Sequence, residues 1–111
     1  MEGIVEFNDW QKLDLRVGKI LEVEDIDGAD KLFKLLVDID SEKRVVCAGL
    51  KPYYKKEELV GRKIILFVNL APRKMRGVES QGMVLASVSD DEKQVKLIKP
   101  DEDVEVGSKI R

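Results

Sequence analysis

Apolar and polar residues alternate through Leu35, Val37 and Ile39, a two-residue period that predicts a strand over Leu32 to Asp40. Before it, Asp14 to Ile26 reads as a longer strand with Leu15, Val17, Leu21 and Val23 on one face and Gly18 as a bend or bulge. Phe7, Trp10 and Leu13 recur every three residues and predict a short helical turn over Asn8 to Leu13. Arg44 to Ala48 forms a third strand across the polar connection Asp40-Ser-Glu-Lys43. Pro52 to Val60 holds a short helix, stopped by Gly61. Arg62 to Leu70 is apolar on both faces and therefore central. Met83 to Ser89 is the fifth strand, and Gln94 to Ile98 returns beside it. The tail repeats a short apolar pattern at Val104, Val106 and Ile110.

Three strands, a helix and two more strands is the order of an all-β, five-stranded OB-fold barrel, here with an N-terminal helical turn and a C-terminal strand extension. An SH3-like small barrel lacks a helix at that position. No repeat, linker or low-complexity tract interrupts the chain, so residues 1–111 read as one domain. In an OB barrel the connections between strands 1 and 2 and between strands 4 and 5 carry the ligand contacts. These are residues 25–31 and 69–82 here.

The second connection carries the strongest chemical signal. Arg73, Lys74 and Arg76 place three cations in four positions, framed by Pro72, Gly77 and Gly82. The neutral hydrogen-bonding groups Asn69, Ser80 and Gln81 accompany them. Such cations neutralise phosphates, and arginine adds stacking and a bidentate fork. Pro72 and Gly77 restrain the loop and lower the cost of ordering it on binding. Met83 reads either as core filler or as a soft face for a base. Tyr53 and Tyr54 are candidates for stacking on bases, with at least one of them in the core. Aromatics make up only 5% of the chain, which argues against a binder that threads successive bases over rings.

Net charge alters this picture only when it is mapped. The total is −2, yet residues 1–30 carry 3 cations and 9 anions, residues 31–76 carry 12 and 5, and residues 77–111 carry 5 and 8. The middle third is thus strongly basic, and local sign governs encounter with a ligand. Lys43, Lys55, Lys56 and Lys63 are expected to be simply solvated.

The chain lacks histidine and has one cysteine, Cys47, in the apolar setting Val45-Val-Cys-Ala-Gly49. This excludes an internal disulfide and the usual zinc sites and removes the commonest general base. Asp25, Asp27, Gly28 and Asp30 lack the spacing of a calcium loop and read as a polar turn. Glu57 and Glu58 read as a solvated helix face. No catalysis, metal or cofactor is expected. The absence of a signal segment or a membrane-length apolar run points to a cytoplasmic protein.

The motifs Asp14-Leu-Arg-Val-Gly-Lys-Ile20, Gly28-Ala-Asp-Lys-Leu32, Glu57-Glu-Leu-Val-Gly61 and Asn69 through Met83 span nearly the whole chain. In this order the sequence resembles the tRNA-binding domain appended to methionyl-tRNA synthetases. The same domain occurs in the cytokine-precursor cofactors of multi-synthetase complexes and in free-standing dimeric tRNA-binding proteins. The resemblance implies a non-catalytic OB fold that recognises the outer corner of tRNA largely without regard to the anticodon. It assigns tRNA contacts to Lys31, Asn69, Arg73, Lys74, Ser80, Gln81 and Met83, and further to Arg16 and Arg76. It implies a homodimer, with Phe7, Trp10, Leu13, Val104, Val106 and Ile110 as interface residues, and a methionyl-tRNA synthetase catalytic chain as a possible partner. The opening Met1 fits a separate polypeptide. Some small dimeric relatives are export chaperones for unfolded peptides, which is the alternative function. Two departures from the family pattern are Ala71, where many relatives have lysine, and Ala48-Gly-Leu50, where Ser-Gly-Ile is common.

Overall fold

The computed structural model describes residues 2–111. Five antiparallel strands make a nearly closed barrel: β1 (Leu15–Asp25), β2 (Phe33–Asp38), β3 (Lys43–Ala48), β4 (Lys63–Phe67) and, after two strands of a separate hairpin, β7 (Met83–Val84). Their sheet order is β3-β2-β1-β4-β7, the OB arrangement expected from the sequence. The hairpin consists of β5 (Arg73–Met75) and β6 (Val78–Ser80). The barrel closes where the end of this hairpin meets β3. There Gln81 N–H donates to the Val45 carbonyl at 2.8 Å and Cys47 N–H donates to Ser80 Oγ at 2.9 Å. Arg44 spans the same seam, its Nη1 donating to the Val68 carbonyl at 2.8 Å and to that of Gln81 at 3.3 Å.

The main core consists of Ile20, Leu35, Val37, Ile39, Val46, Ile64 and Leu66, each at most 1% exposed. A second cluster of Leu15, Val17 and Ile65 packs on the opposite face with Phe67, Leu85 and Ile110. Strand β4 feeds both clusters, which explains its apolar character on both faces. Each fully buried aliphatic side chain here stabilises the fold by roughly 1.5–3 kcal/mol relative to exposure.

Strand β1 departs from the single apolar face expected for it. Leu15 and Val17 are buried in the second cluster, but Ile20 points into the main core. The bulge lies after Ile20: that residue pairs with Val37 while Glu22 pairs with Leu36, leaving Leu21 as the extra residue. This one-residue insertion reverses parity and turns Val23 onto the main core. Gly18 has a different role. A Cβ there would sit 2.6 Å from Val37 Cγ1, so the position needs glycine for close packing, not for a bend.

Helix α1 (Phe7–Gln11) precedes the barrel, and α2 (Lys56–Leu59) crosses between β3 and β4. A helix this short is not stable alone. Leu59, with 0% exposure, anchors α2 in the core. Glu58 also does more than decorate a helix face, since its Oε1 accepts the Lys55 N–H at 2.8 Å and caps the first turn. The fifth predicted strand is divided at Leu85: β7 pairs with β4, whereas β8 (Ala86–Val88) pairs with β9 (Val95–Leu97). In the tail, β10 (Lys109–Ile110) continues along β1 at Leu15 and Arg16, beyond the stretch occupied by β2.

Candidate nucleic-acid interface

The basic connection is an ordered hairpin. Arg73 pairs with Ser80, Lys74 with Glu79 and Met75 with Val78. Arg76 and Gly77 form its tip with φ of 51° and 81°, the double left-handed conformation of a type I′ turn. Alternation puts Arg73 on the same side of the ribbon as Met75, Val78 and Ser80, and Lys74 and Glu79 on the other. Met75 and Val78 are half-buried and pack against Ile26, Ala29 and Cys47, together with Leu32. Arg73, Lys74, Arg76 and Glu79 are exposed. The hairpin therefore lies on the connection between β1 and β2, and the exposed Lys31 borders the same apolar patch through its neighbour Leu32.

Two of the neutral residues are committed within the fold. Ser80 is 4% exposed; its hydroxyl accepts from Cys47 N–H and donates to the Gly82 carbonyl at 3.2 Å. The Asn69 amide donates to the Lys12 carbonyl at 2.7 Å and accepts from Asp14 N–H at 2.8 Å. It fastens the hairpin's root to the link between α1 and β1. Gln81 lends its backbone to β3, and its Oε1 lies 3.4 Å from Val45 N–H, while its amide NH₂ has no protein partner among the described residues. Met83 is 44% exposed.

Arg16 lies apart from Lys31, at the start of β1, where its Nε donates to Asp14 Oδ1 at 2.8 Å. That hydrogen bond, followed by the charge attraction of Asp14, raises the guanidinium pKa. No ion pair reaches Lys31, Arg73, Lys74 or Arg76 among the described residues, although seven pairs occupy cations elsewhere. Lys56 and Lys63, expected to be free in solvent, bind Asp25 and Asp103, each at 2.7 Å. Asp25 also holds Lys51 at 3.1 Å, so this loop carboxylate serves the fold. Burial pushes the Cys47 thiol pKa up, which leaves it unreactive.

Beside the hairpin lies a cleft of about 340 Å³. Tyr53, Met75, Met83, Val88 and Val95 contribute apolar walls, and Arg73 and Glu92 also line it. The Tyr53 hydroxyl donates to the Glu92 carbonyl at 2.9 Å, while Tyr54 turns inward and accepts from Leu97 N–H at 3.1 Å. Sequence reasoning missed Arg44, Val88 and Glu92, because their roles depend on contacts between distant segments.

Phe7, Trp10, Leu13 and Ile110 line a separate hollow of about 240 Å³ between α1 and β10. Ile4, Val5 and Phe7 are 73%, 67% and 69% exposed. Val104 is not part of this group. It lines another hollow with Lys19 and Lys63, and its carbonyl accepts from Lys63 Nζ. No helix among the described residues is long and apolar enough to cross a membrane.

An OB-type barrel with exposed cations on the hairpin between its last two strands is the architecture of a nucleic-acid-binding module. Residues 15–109 match the family described as "Putative tRNA binding domain", and the chain belongs to that family. It is 54% identical over 107 residues to methionine–tRNA ligase of Pyrococcus horikoshii, spanning 96% of this chain but only 14% of the ligase. Its fold matches that of a MetRS-related protein from Pyrococcus horikoshii with a TM-score of 0.92 and 39% identity, covering 100% of both chains. It also matches the chaperone CsaA from Bacillus anthracis at a TM-score of 0.88 and 27% identity, covering 98% of this chain and all of the other.

Proposed function

We propose that this domain binds tRNA without catalysing a reaction, through the exposed face shared by the β5–β6 hairpin and the β1–β2 connection. The observation that carries this reading is the packing of Met75 and Val78 against Ile26 and Ala29. This packing supports the reading because it seats the hairpin that bears the unpaired cations Arg73, Lys74 and Arg76 on the connection that contains Lys31. Their work is phosphate neutralisation, which positions a polyanion and carries little base information. Gln81 offers its free amide donors, and Met83 offers apolar surface. Asn69 and Ser80 act as positioning residues, since their polar groups are engaged inside the fold. Arg16 contributes positive potential from the hairpin's root, damped by Asp14.

The domain works in the cytoplasm as a homodimer that joins through α1 and β10, with Phe7, Trp10, Leu13 and Ile110 in the contact and Val104 and Val106 outside its centre. Fused to or associated with a methionyl-tRNA ligase chain, it raises the local concentration of tRNA at a catalytic site elsewhere. The likeness to CsaA and the apolar cleft favour a second reading, the capture of unfolded peptide. Competition between total tRNA and a reduced, unfolded protein at equal salt separates the two. Retention of tRNA with loss of the polypeptide supports tRNA binding, and the reverse result refutes it.

A further inference from the structure

We infer that the cleft between Tyr53, Met83 and Val88 receives one unstacked nucleobase of the bound RNA, so that the face reads a local single-stranded feature as well as phosphate. This inference rests on the proposed tRNA-binding face, because Arg73 belongs to both. The volume of about 340 Å³ lies at the lower end of the range for small-ligand sites. Its walls suit the flat, apolar face of a base. Met83 and Val88 present apolar groups at 44% and 55% exposure, and Tyr53 at 37% supplies an aromatic ring.

Charge supplies the orientation. Arg73 lines the cleft and is itself part of the basic hairpin, so a nucleotide phosphate held there leaves its base directed toward the apolar walls. Glu92 also lines the cleft, and among the described residues no hydrogen bond or ion pair is made by its carboxylate. Its negative charge repels phosphate and favours the N–H edge of a base. The Glu92 backbone is held in place by the Tyr53 hydroxyl, at a φ of 59°. An apolar peptide side chain would fill the same walls but would have no use for Arg73. The continuity of that cation with Lys74 and Arg76 favours a nucleotide.

The test compares two fluorescently labelled oligoribonucleotides of equal length, one with bases and one fully abasic, in anisotropy titrations at fixed salt. With the native protein, the base-bearing strand binds about tenfold more tightly, the scale of one base stacked on a protein surface. Val88→Ser reduces that preference severalfold, leaves the abasic strand's affinity unchanged and does not alter the salt slope, and Met83→Ala likewise lowers the preference severalfold. Arg73→Ala weakens both strands. Equal affinity of the two strands for the native protein overturns the base site, even if intact tRNA binds with the expected salt dependence. So does a preference that both cleft variants retain. Failure of tRNA itself to bind overturns the underlying functional reading instead. Displacement of the base-bearing strand by an apolar peptide, with no base preference, assigns the cleft to peptide.

Discussion

Replacing Arg73 and Lys74 together by alanine removes two of the four exposed, unpaired cations on the proposed face. Neither side chain bonds to the rest of the fold, so the barrel should remain intact. Each neutralised phosphate contributes about −0.7 to −0.9 to the slope of log affinity against log salt. Four contacts therefore give a slope of about −2.8 to −3.6, and two give about −1.4 to −1.8. Raising salt from about 50 to 200 mM then weakens the native complex roughly 50- to 150-fold, but the double variant only about 7- to 12-fold. Filter-binding or mobility-shift titrations of tRNA at four or five salt concentrations measure both slopes. A variant slope equal to the native one would refute the reasoning, because it would place the phosphate contacts elsewhere.

Ser80→Ala should destabilise the protein by about 1–3 kcal/mol in urea unfolding, because the buried Cys47 N–H loses its acceptor at the barrel seam. An unchanged midpoint would mean that water replaces the hydroxyl. Asp25 has its pKa lowered by hydrogen bonds from Lys56 and then Lys51. The carboxylate's stabilising contribution is therefore present above its ordinary value of 3.8 and is lost as pH falls through the lower folded value. Melting curves between pH 2 and 6 should show a weaker acid dependence for Asp25→Asn than for the native protein. Phe7→Asp, at an exposed position on α1, should shift the sedimentation coefficient from dimer to monomer with the circular dichroism spectrum unchanged. A dimer that persists would move the interface away from this helix.

Strands β2 and β4 were legible because their periodicity reports burial directly. Leu35, Val37 and Ile39 alternate into one core, while Ile64, Ile65 and Leu66 feed two. The parity change in β1 was hidden because Leu21, the residue left over at the bulge, is as apolar as its buried neighbours. The identity of the cations was equally readable, but the hairpin that carries them was not. Arg76-Gly77 lacks the asparagine or aspartate that commonly announces a type I′ turn. Asn69 and Ser80 were readable as polar residues within a binding motif, yet hydrogen bonds to Lys12, Asp14 and Cys47 across the chain decide what they do. Composition cannot distinguish a donor that faces a ligand from one that holds the scaffold. Likewise, Val104 and Ile110 share a pattern in the tail but belong to different hollows.

The β5–β6 ribbon separates what must be kept from what is free to vary. Ser80 and Gln81 stitch it to the barrel wall, and Met75 and Val78 seat it, whereas Lys74, Arg76 and Glu79 are exposed. Its outer decoration can thus be exchanged, even to the opposite sign, with the seam and the seat left as they are. The same barrel can therefore carry an outer ribbon of altered charge with no change to its interior.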